Sequence, residues 1–282
     1  MRPLLIVAIV FSLFSCEKEN SLENSQNVGN ELIVGVDCRI RKMVYTDTAT
    51  KAGLGSLDAA INSLDMVTKI TRFDSLSNTI EFITTPIYSN DTVFINPDEY
   101  FVVDVNKRIS KLHGLIDPTD PFSLQFDVLY AYSVSGYLGS KTYALTTDPL
   151  NPYKRVDYVY TGNNLTHMTA TDLTNGDLNV DADIDYYNQI IPRRFLYIFP
   201  DEKEYPYFSQ FYNYGLKNYN AIKKMTVRYY DPGNVLRDST VSNFSNYIMS
   251  RDTYVLSVQM EGADQQSIPA LAGKLSFSYH CK

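Results

Sequence analysis

Apolar and polar residues alternate with a period of two along most of this chain, the pattern of β-strands with one buried face. The unit is clearest in the stretch 158–173. Tyr158-Val159-Tyr160 alternates, Gly162-Asn163-Asn164 interrupts, and alternation resumes from Leu165. A β-hairpin is written this way, with the glycine supplying a positive φ at the turn. Variants follow Leu129-Tyr130-Ala131-Tyr132, at Gly136 and Leu138, and run from Arg228-Tyr229-Tyr230 through Asp231-Pro232-Gly233-Asn234 to Leu236. The step from Tyr130 to Tyr158 is one hairpin plus a loop, but Tyr229 fits no fixed period, so the chain is not a strict solenoid.

Further strands are expected at 38–45, 66–73, 79–88, 91–95, 100–105 and 109–115, and the closing ones at 221–230, 236–245, 254–261 and 271–281. Turn chemistry separates them at 74–78 and 96–98, and Asp117-Pro118-Thr119-Asp120-Pro121 stops a strand firmly. Two regions break the pattern. Leu54, Leu57, Ile61 and Leu64 fall at helical spacing, which predicts a short helix inside a long first connection. Ile190-Ile191-Pro192-Arg193-Arg194 leads a short apolar strand ending at Phe199-Pro200, and 202–220 is crowded with Tyr and Phe without clean periodicity. That segment reads as a long ordered loop or an irregular helix. No internal linker divides 33–282, so the fold expected is one all-β domain. It is an antiparallel up-and-down meander of about twelve to fourteen strands, soluble, forming a curled sheet or a closed barrel. A membrane barrel needs apolar residues at every lipid-facing position, whereas Lys, Arg, Asp and Asn interrupt both faces of most strands here.

The N-terminus carries an address. Met1-Arg2, an apolar run over 4–14 and a small residue, Ser15, describe a secretory signal too short to span a bilayer. Leu13-Phe14-Ser15-Cys16 resembles the lipobox of bacterial lipoproteins; the resemblance implies that Cys16 is diacylated and becomes the mature N-terminus. The alternatives are an ordinary secretory signal and a short uncleaved anchor. Residues 1–15 are then the signal peptide and 16–32 a polar, flexible tether, its start, Glu17-Lys18-Glu19, resembling the surface-export signal of Bacteroidota lipoproteins or simply being a solvated linker. Lipid would hold the protein on the outer membrane or cell surface of a Gram-negative envelope.

Composition narrows the partners. Removing 1–15 takes away one basic residue, Arg2, and leaves 24 basic against 32 acidic residues, a net charge of about −8. An acidic surface disfavours nucleic acid and anionic lipid. The chain has 23 Tyr and no Trp, and Tyr suits half-buried sheet surfaces because its ring packs while its hydroxyl stays wet. Of three Cys, Cys16 is claimed by the lipobox. Cys38 and Cys281 open and close the folded region, in a compartment where disulfides persist, so a disulfide is expected; the alternative is two separate buried thiols. A bridge would make the first and last strands neighbours.

Candidate chemistry is sparse. Asp177, Asn179, Asp181, Asp183 and Asp185 alternate on a strand, so one face would carry five oxygen-bearing side chains of the kind Ca²⁺ favours. Neither register gives the calcium-loop pattern, and an acidic solvated strand face is the commoner meaning; no cofactor is expected. His113, His167 and His280 share no ligand spacing. There is no Gly-x-Ser-x-Gly elbow and no phosphate-cradling glycine loop. Tyr205, Tyr207, Phe208, Phe211 and Tyr212 form the candidate binding loop, whose rings could stack on a glycan or anchor an envelope protein; the alternative is a local satellite core.

Taken together, the lipobox, the opening Cys38-x-Ile40-x-x-Met43-x-Tyr45, the hairpins at Tyr158 and Tyr229 and the closing Cys281 resemble Bacteroidota lipoproteins of unknown function with a porin-like, YD-repeat-like β-meander domain. The chain departs from true YD repeats in lacking a steady period and in having the Asp in one copy, Asp231. The resemblance implies a fold and an address, and no reaction. Asp47-Thr48-Ala49, Asp74-Ser75-Leu76 and Asp91-Thr92-Val93 also resemble Bacteroidota O-glycosylation acceptors, although turn chemistry explains them equally well. The function expected is a lipid-anchored envelope protein with a non-enzymatic binding or scaffolding role. The alternative is a surface glycan hydrolase using carboxylates at the rim.

Overall fold

The computed structural model describes residues 38–47, 53–74, 78–116, 123–193, 196–197, 199–200, 210–263 and 273–281. Among them are seventeen strands and no helix. In chain order they are β1 (Cys38–Asp47), β2 (Gly53–Ile61), β3 (Val67–Asp74), β4 (Thr79–Thr84), β5 (Ile87–Ser89), β6 (Thr92–Asn96), β7 (Glu99–Val103), β8 (Ile109–Leu115) and β9 (Gln125–Tyr132). The second half holds β10 (Leu138–Leu145), β11 (Lys154–Thr161), β12 (Asn164–Asp172), β13 (Leu178–Tyr187), β14 (Ala221–Asp231), β15 (Val235–Met249), β16 (Val255–Ala263) and β17 (Gly273–Cys281).

Every pairing is antiparallel, and nearly all join chain neighbours, as an up-and-down meander requires. The exception joins the ends. β1 pairs with β17 over a register running from Cys38↔Cys281 to Asp47↔Gly273, and Cys38 and Cys281 form a disulfide. The sheet nevertheless does not close. β4 and β5 run in the same direction, end to end, about Thr85-Pro86; β4 pairs with β3 and β5 with β6. Of the two forms expected, the strongly curled sheet is the one present. The single strand expected over 79–88 is divided because a proline has no N–H for a ladder and favours strand edges.

The expected helix at 54–64 is also absent. β2 occupies 53–61, with Leu57 and Ala59 buried and paired to β1 and β3. The four-residue step from Leu57 to Ile61 serves a strand as well as a helix, and Gly53 and Gly55 weaken a helix.

Alternation sends one side of each strand to the core. On β13, Ala182 and Ile184 are buried while Asp183 and Asp185 on the other parity are exposed; on β11, Val156 and Tyr158 are buried between Arg155, Asp157 and Val159. The concave side is therefore apolar, and the convex side of these strands charged and polar, the reverse of a membrane barrel.

One end of the shell is built by repetition. Asn62, Asp104, Ser133 and Ser250 each open a five-residue turn, and their side-chain oxygens accept the backbone N–H four residues on, in Met66, Arg108, Tyr137 and Tyr254, at 2.9–3.1 Å. The fourth residue of each turn, Asp65, Lys107, Gly136 or Thr253, has positive φ. A fully buried apolar residue follows: Val67, Ile109, Leu138 or Val255. Five tyrosines then return to this end and donate their hydroxyls to backbone carbonyls at strand starts: Tyr88 to Val67, Tyr132 to Ile109, Tyr186 to Leu165, Tyr247 to Ile222 and Tyr279 to Val255, at 2.6–3.0 Å. Burial raises the pKa of all five above the ordinary tyrosine value. Cys38 and Cys281 sit at this same end.

Candidate functional site

Between β13 and β14, where neighbouring strand pairs have a short turn, the described residues of 188–220 include a buried strap, 196–197, 199 and 210–216, that packs on the inside of the shell. Backbone bonds fix its course. Arg193 N–H reaches Thr253 O at 3.0 Å, Asn213 O accepts from Ile109 N–H at 2.8 Å, Leu216 N–H reaches Gly136 O at 3.0 Å and Tyr219 N–H reaches Asn163 O at 3.1 Å. Asn164 and Asn220 bond reciprocally, and Asn218 Oδ1 accepts from Leu165 N–H at 2.8 Å. This strap thus joins successive strand starts at the end where Cys38 enters. Gly215 is required where it passes Gly136: its φ is +85°, and a Cβ there would lie 2.3 Å from Gly136 O.

Above the backbone, the strap is an aromatic core. Tyr197 stacks on Phe199 at 5.6 Å, Phe199 and Tyr214 are 5.6 Å apart, and Tyr130, Tyr158 and Phe101 of the sheet meet Tyr214, Phe199 and Tyr212. Two buried polar side chains of the strap are bonded within it: Gln210 spans both the N–H and C=O of Tyr197, and the Tyr197 hydroxyl donates to Gly215 O at 2.7 Å. Lys141, on β10, is fully buried; its Nζ lies 4.7 Å from the Phe199 ring centre and 5.6 and 5.7 Å from those of Tyr158 and Tyr130.

Of the two readings of the Tyr-rich segment, a binding loop or a local satellite core, Phe211 and Tyr212 follow the second. Phe211 and Tyr212 are 2% and 4% exposed, and Tyr212 packs on Phe101, so both are core residues and cannot meet a partner at the surface. Tyr205, Tyr207 and Phe208 lie outside the described residues. Nor is any described residue of 196–200 in a strand; Leu196, Tyr197 and Phe199 are buried in irregular backbone. Composition alone leaves both readings open, since a Tyr-rich loop and a Tyr-rich core strap have the same residues. The signal in the sequence is Gly215 after Gln210-Phe211-Tyr212-Asn213-Tyr214, together with Asn218 and Asn220, residues suited to capping strand ends.

The acidic strand face is on the convex side, as alternation predicts, and its central carboxylates are engaged. Arg228 on β14 reaches Asp181 at 2.7 Å and Asp183 at 2.8 Å, while His167 on β12 contacts Asp183 at 2.9 Å and Asp181 at 3.3 Å. The Arg228 hydrogen bond, assisted by His167, holds the Asp183 carboxyl below the usual value. Asp177 stands apart, accepting from Gly233 N–H and Asn175 at a hairpin end. Of the five residues, Asp181 and Asp183 thus belong to an ion-paired network and Asp177 to a turn, while Asp185 is exposed on the same face. Among the described residues no group of three or more His, Cys, Asp or Glu side chains is arranged to hold a metal. A second histidine network lies on the convex face of β8 and β9: Asp127 holds His113 Nδ1 and Lys111 Nζ, both at 2.8 Å, and Tyr100 stacks on His113 at 4.7 Å. Of the glycosylation-like triplets, Asp91-Thr92-Val93 is described, with Thr92 bonded to Asp91 at 3.2 Å beside the β5–β6 turn. Thr48, Ser75 and Cys16 lie outside the described residues.

These features define a class of fold: an up-and-down, strongly curled β shell whose apolar inside packs on a strap of its own chain. No family model matches the chain, and no curated protein does. Solved structures do. A porin-like protein from Bacteroides uniformis ATCC 8492 superposes with a TM-score of 0.60 at 10% identity, over 86% of this chain and 98% of that one. One from Bacteroides vulgatus ATCC 8482 gives 0.52 at 13% identity, over 86% and 99%. At such identities the likeness is one of fold. Part of the TcdB2-TccC3 structure also matches, at a TM-score of 0.27 over 13% of that chain, too low to carry an argument.

Proposed function

We propose that the protein is a lipid-anchored cell-envelope protein with a non-enzymatic role in binding or scaffolding. The observation that carries this reading is the covalent seam: a disulfide between first and last strands belongs to an oxidising, extracytoplasmic compartment, and the strand it pins begins 22 residues after the lipobox-like Cys16. The fold shared with porin-like Bacteroides proteins is consistent with an envelope setting. With aromatic side chains of the strap packed on its inside and ion-paired carboxylates on its convex face, the shell is suited to presenting a rigid surface to an envelope glycan or protein. The Asp181 and Asp183 pair is bridged by one guanidinium on the convex face, an arrangement that favours no hydrolytic role. Membrane fractionation tests the address. The wild-type protein is expected with membranes and Cys16→Ala in the soluble fraction; a variant that stays with membranes would defeat the anchoring claim.

A further inference from the structure

The four five-residue turns at one end of the shell hold their shape through a side-chain oxygen at the first position and positive φ at the fourth. Nothing in that bonding calls for an apolar side chain at the tip, where turn chemistry favours polar residues. Yet Leu64, Val105 and Val134 occupy three of the four tips at 72%, 95% and 109% exposure. Ile191 and Tyr219 are exposed at the same end, as are Lys107 on the second turn and Arg251 on the fourth. Aliphatic groups in solvent are not confined to this end, since Leu150 and Val235 are exposed at the other. Two observations separate the ends. β1 begins at Cys38 in the turn-rich end, so the chain leads from here to the lipobox-like Cys16. The far loops carry Asp148, Asp172 and Asp177, whose partners in Asn151, Thr174 and Gly233 are neutral donors that leave the carboxylate charge in place.

We infer that the turn-rich end is a membrane-docking surface, its aliphatic tips entering the lipid layer that holds the protein's own anchor. The inference deepens the lipid-anchored reading above and rests on it. Short side chains on hydrogen-bonded turns lose little conformational freedom when covered, and lipid accepts aliphatic groups without a partner of complementary shape. Lys107 and Arg251 then fall at the level of the headgroups, where basic side chains and the half-polar ring of Tyr219 are favoured. The acidic loops of the far end are repelled by anionic lipid. Docking by the tips therefore fixes the shell with that end outward.

The test uses the mature, lipid-bearing protein in vesicles of phosphatidylethanolamine and phosphatidylglycerol. Val134→Cys and, at the far end, Leu150→Cys are each labelled without reductant with a fluorophore that brightens and shifts to the blue in apolar surroundings. Lipid carrying a nitroxide just below the headgroups is then added. Quenching at position 134 is expected to exceed that at position 150 by at least about twofold, with a blue shift at 134 alone. Leu64→Ser with Val105→Ser, both at exposed positions, should reduce the quenching at 134. Equal quenching at the two ends, or none at either, overturns the proposal. Quenching at 134 that survives the paired serine substitutions also overturns it, because the tether alone would then set the orientation. A blue shift at 134 without quenching by lipid overturns it in favour of a protein occupant, a second copy included. Flotation of the same vesicles reads the anchor separately: protein that floats without quenching at 134 loses the docking surface alone, and protein that does not float loses the anchor and the docking surface together.

Discussion

Tyrosine is the residue that most distinguishes this chain, and the shell uses it in a way its half-polar chemistry permits. Each ring of Tyr88, Tyr132, Tyr186, Tyr247 and Tyr279 fills core space while its hydroxyl satisfies a carbonyl at a strand start. Replacing one, as in Tyr132→Phe, leaves the Ile109 carbonyl without that donor and should cost about 1 kcal/mol in a urea titration. The five also set an alkaline limit. Because burial raises their folded pKa above the unfolded value near 10, the unfolded chain ionises first as pH rises. Their contribution is fully present below about pH 10 and is lost progressively above it. The urea midpoint should therefore fall between pH 9 and 11, and less steeply in a variant with Phe at several of these positions; parallel curves would refute the assignment.

At the scale of elements, the hairpin turns and the strap follow different logics. Gly162-Asn163 and Gly233-Asn234 both have positive φ at two successive residues, as the sequence motif demands. The strap depends instead on fit. Gly215→Ala must displace the Gly136 carbonyl as well as strain the backbone, whereas Gly176→Ala, at φ +80° with nothing within 4 Å of its Cβ, meets only the strain. Strain alone costs about 1–3 kcal/mol, so Gly215→Ala should destabilise clearly more than Gly176→Ala in chemical denaturation. Equal losses would mean that the strap yields there.

For the whole molecule, the decisive contact is between residues 243 apart. Closing so long a loop restricts the unfolded chain strongly, by about 5 kcal/mol in the chain-entropy model, so Cys38→Ser with Cys281→Ser should lower stability by a large part of that. Non-reducing mass spectrometry should find no free thiol at either position in the native protein, and a stability unchanged by the double substitution would show that the β1–β17 ladder alone holds the seam.

Period-two alternation, glycine turns and two leftover cysteines were enough, read residue by residue, to fix an all-β meander and the neighbours at its ends, because each is a local or counting property. The sequence also contained the turn-opening Asn62, Asp104, Ser133 and Ser250, but their common role depends on positive φ at the fourth turn residue, and in three of the four that residue is Asp65, Lys107 or Thr253 and not a glycine, which composition does not announce. Leu57 and Ile61 were misread because a spacing of four satisfies both periods. Where the chain folds inward could not be read at all: Phe211 and Tyr212 look like surface anchors until the sheet curls around them, and Lys141 looks like a solvated lysine until Phe199 arrives from more than fifty residues away. Inside and outside are properties of the curled sheet as a whole, and only the tertiary structure, by bending that sheet around the aromatic strap, decided which side of each strand was which.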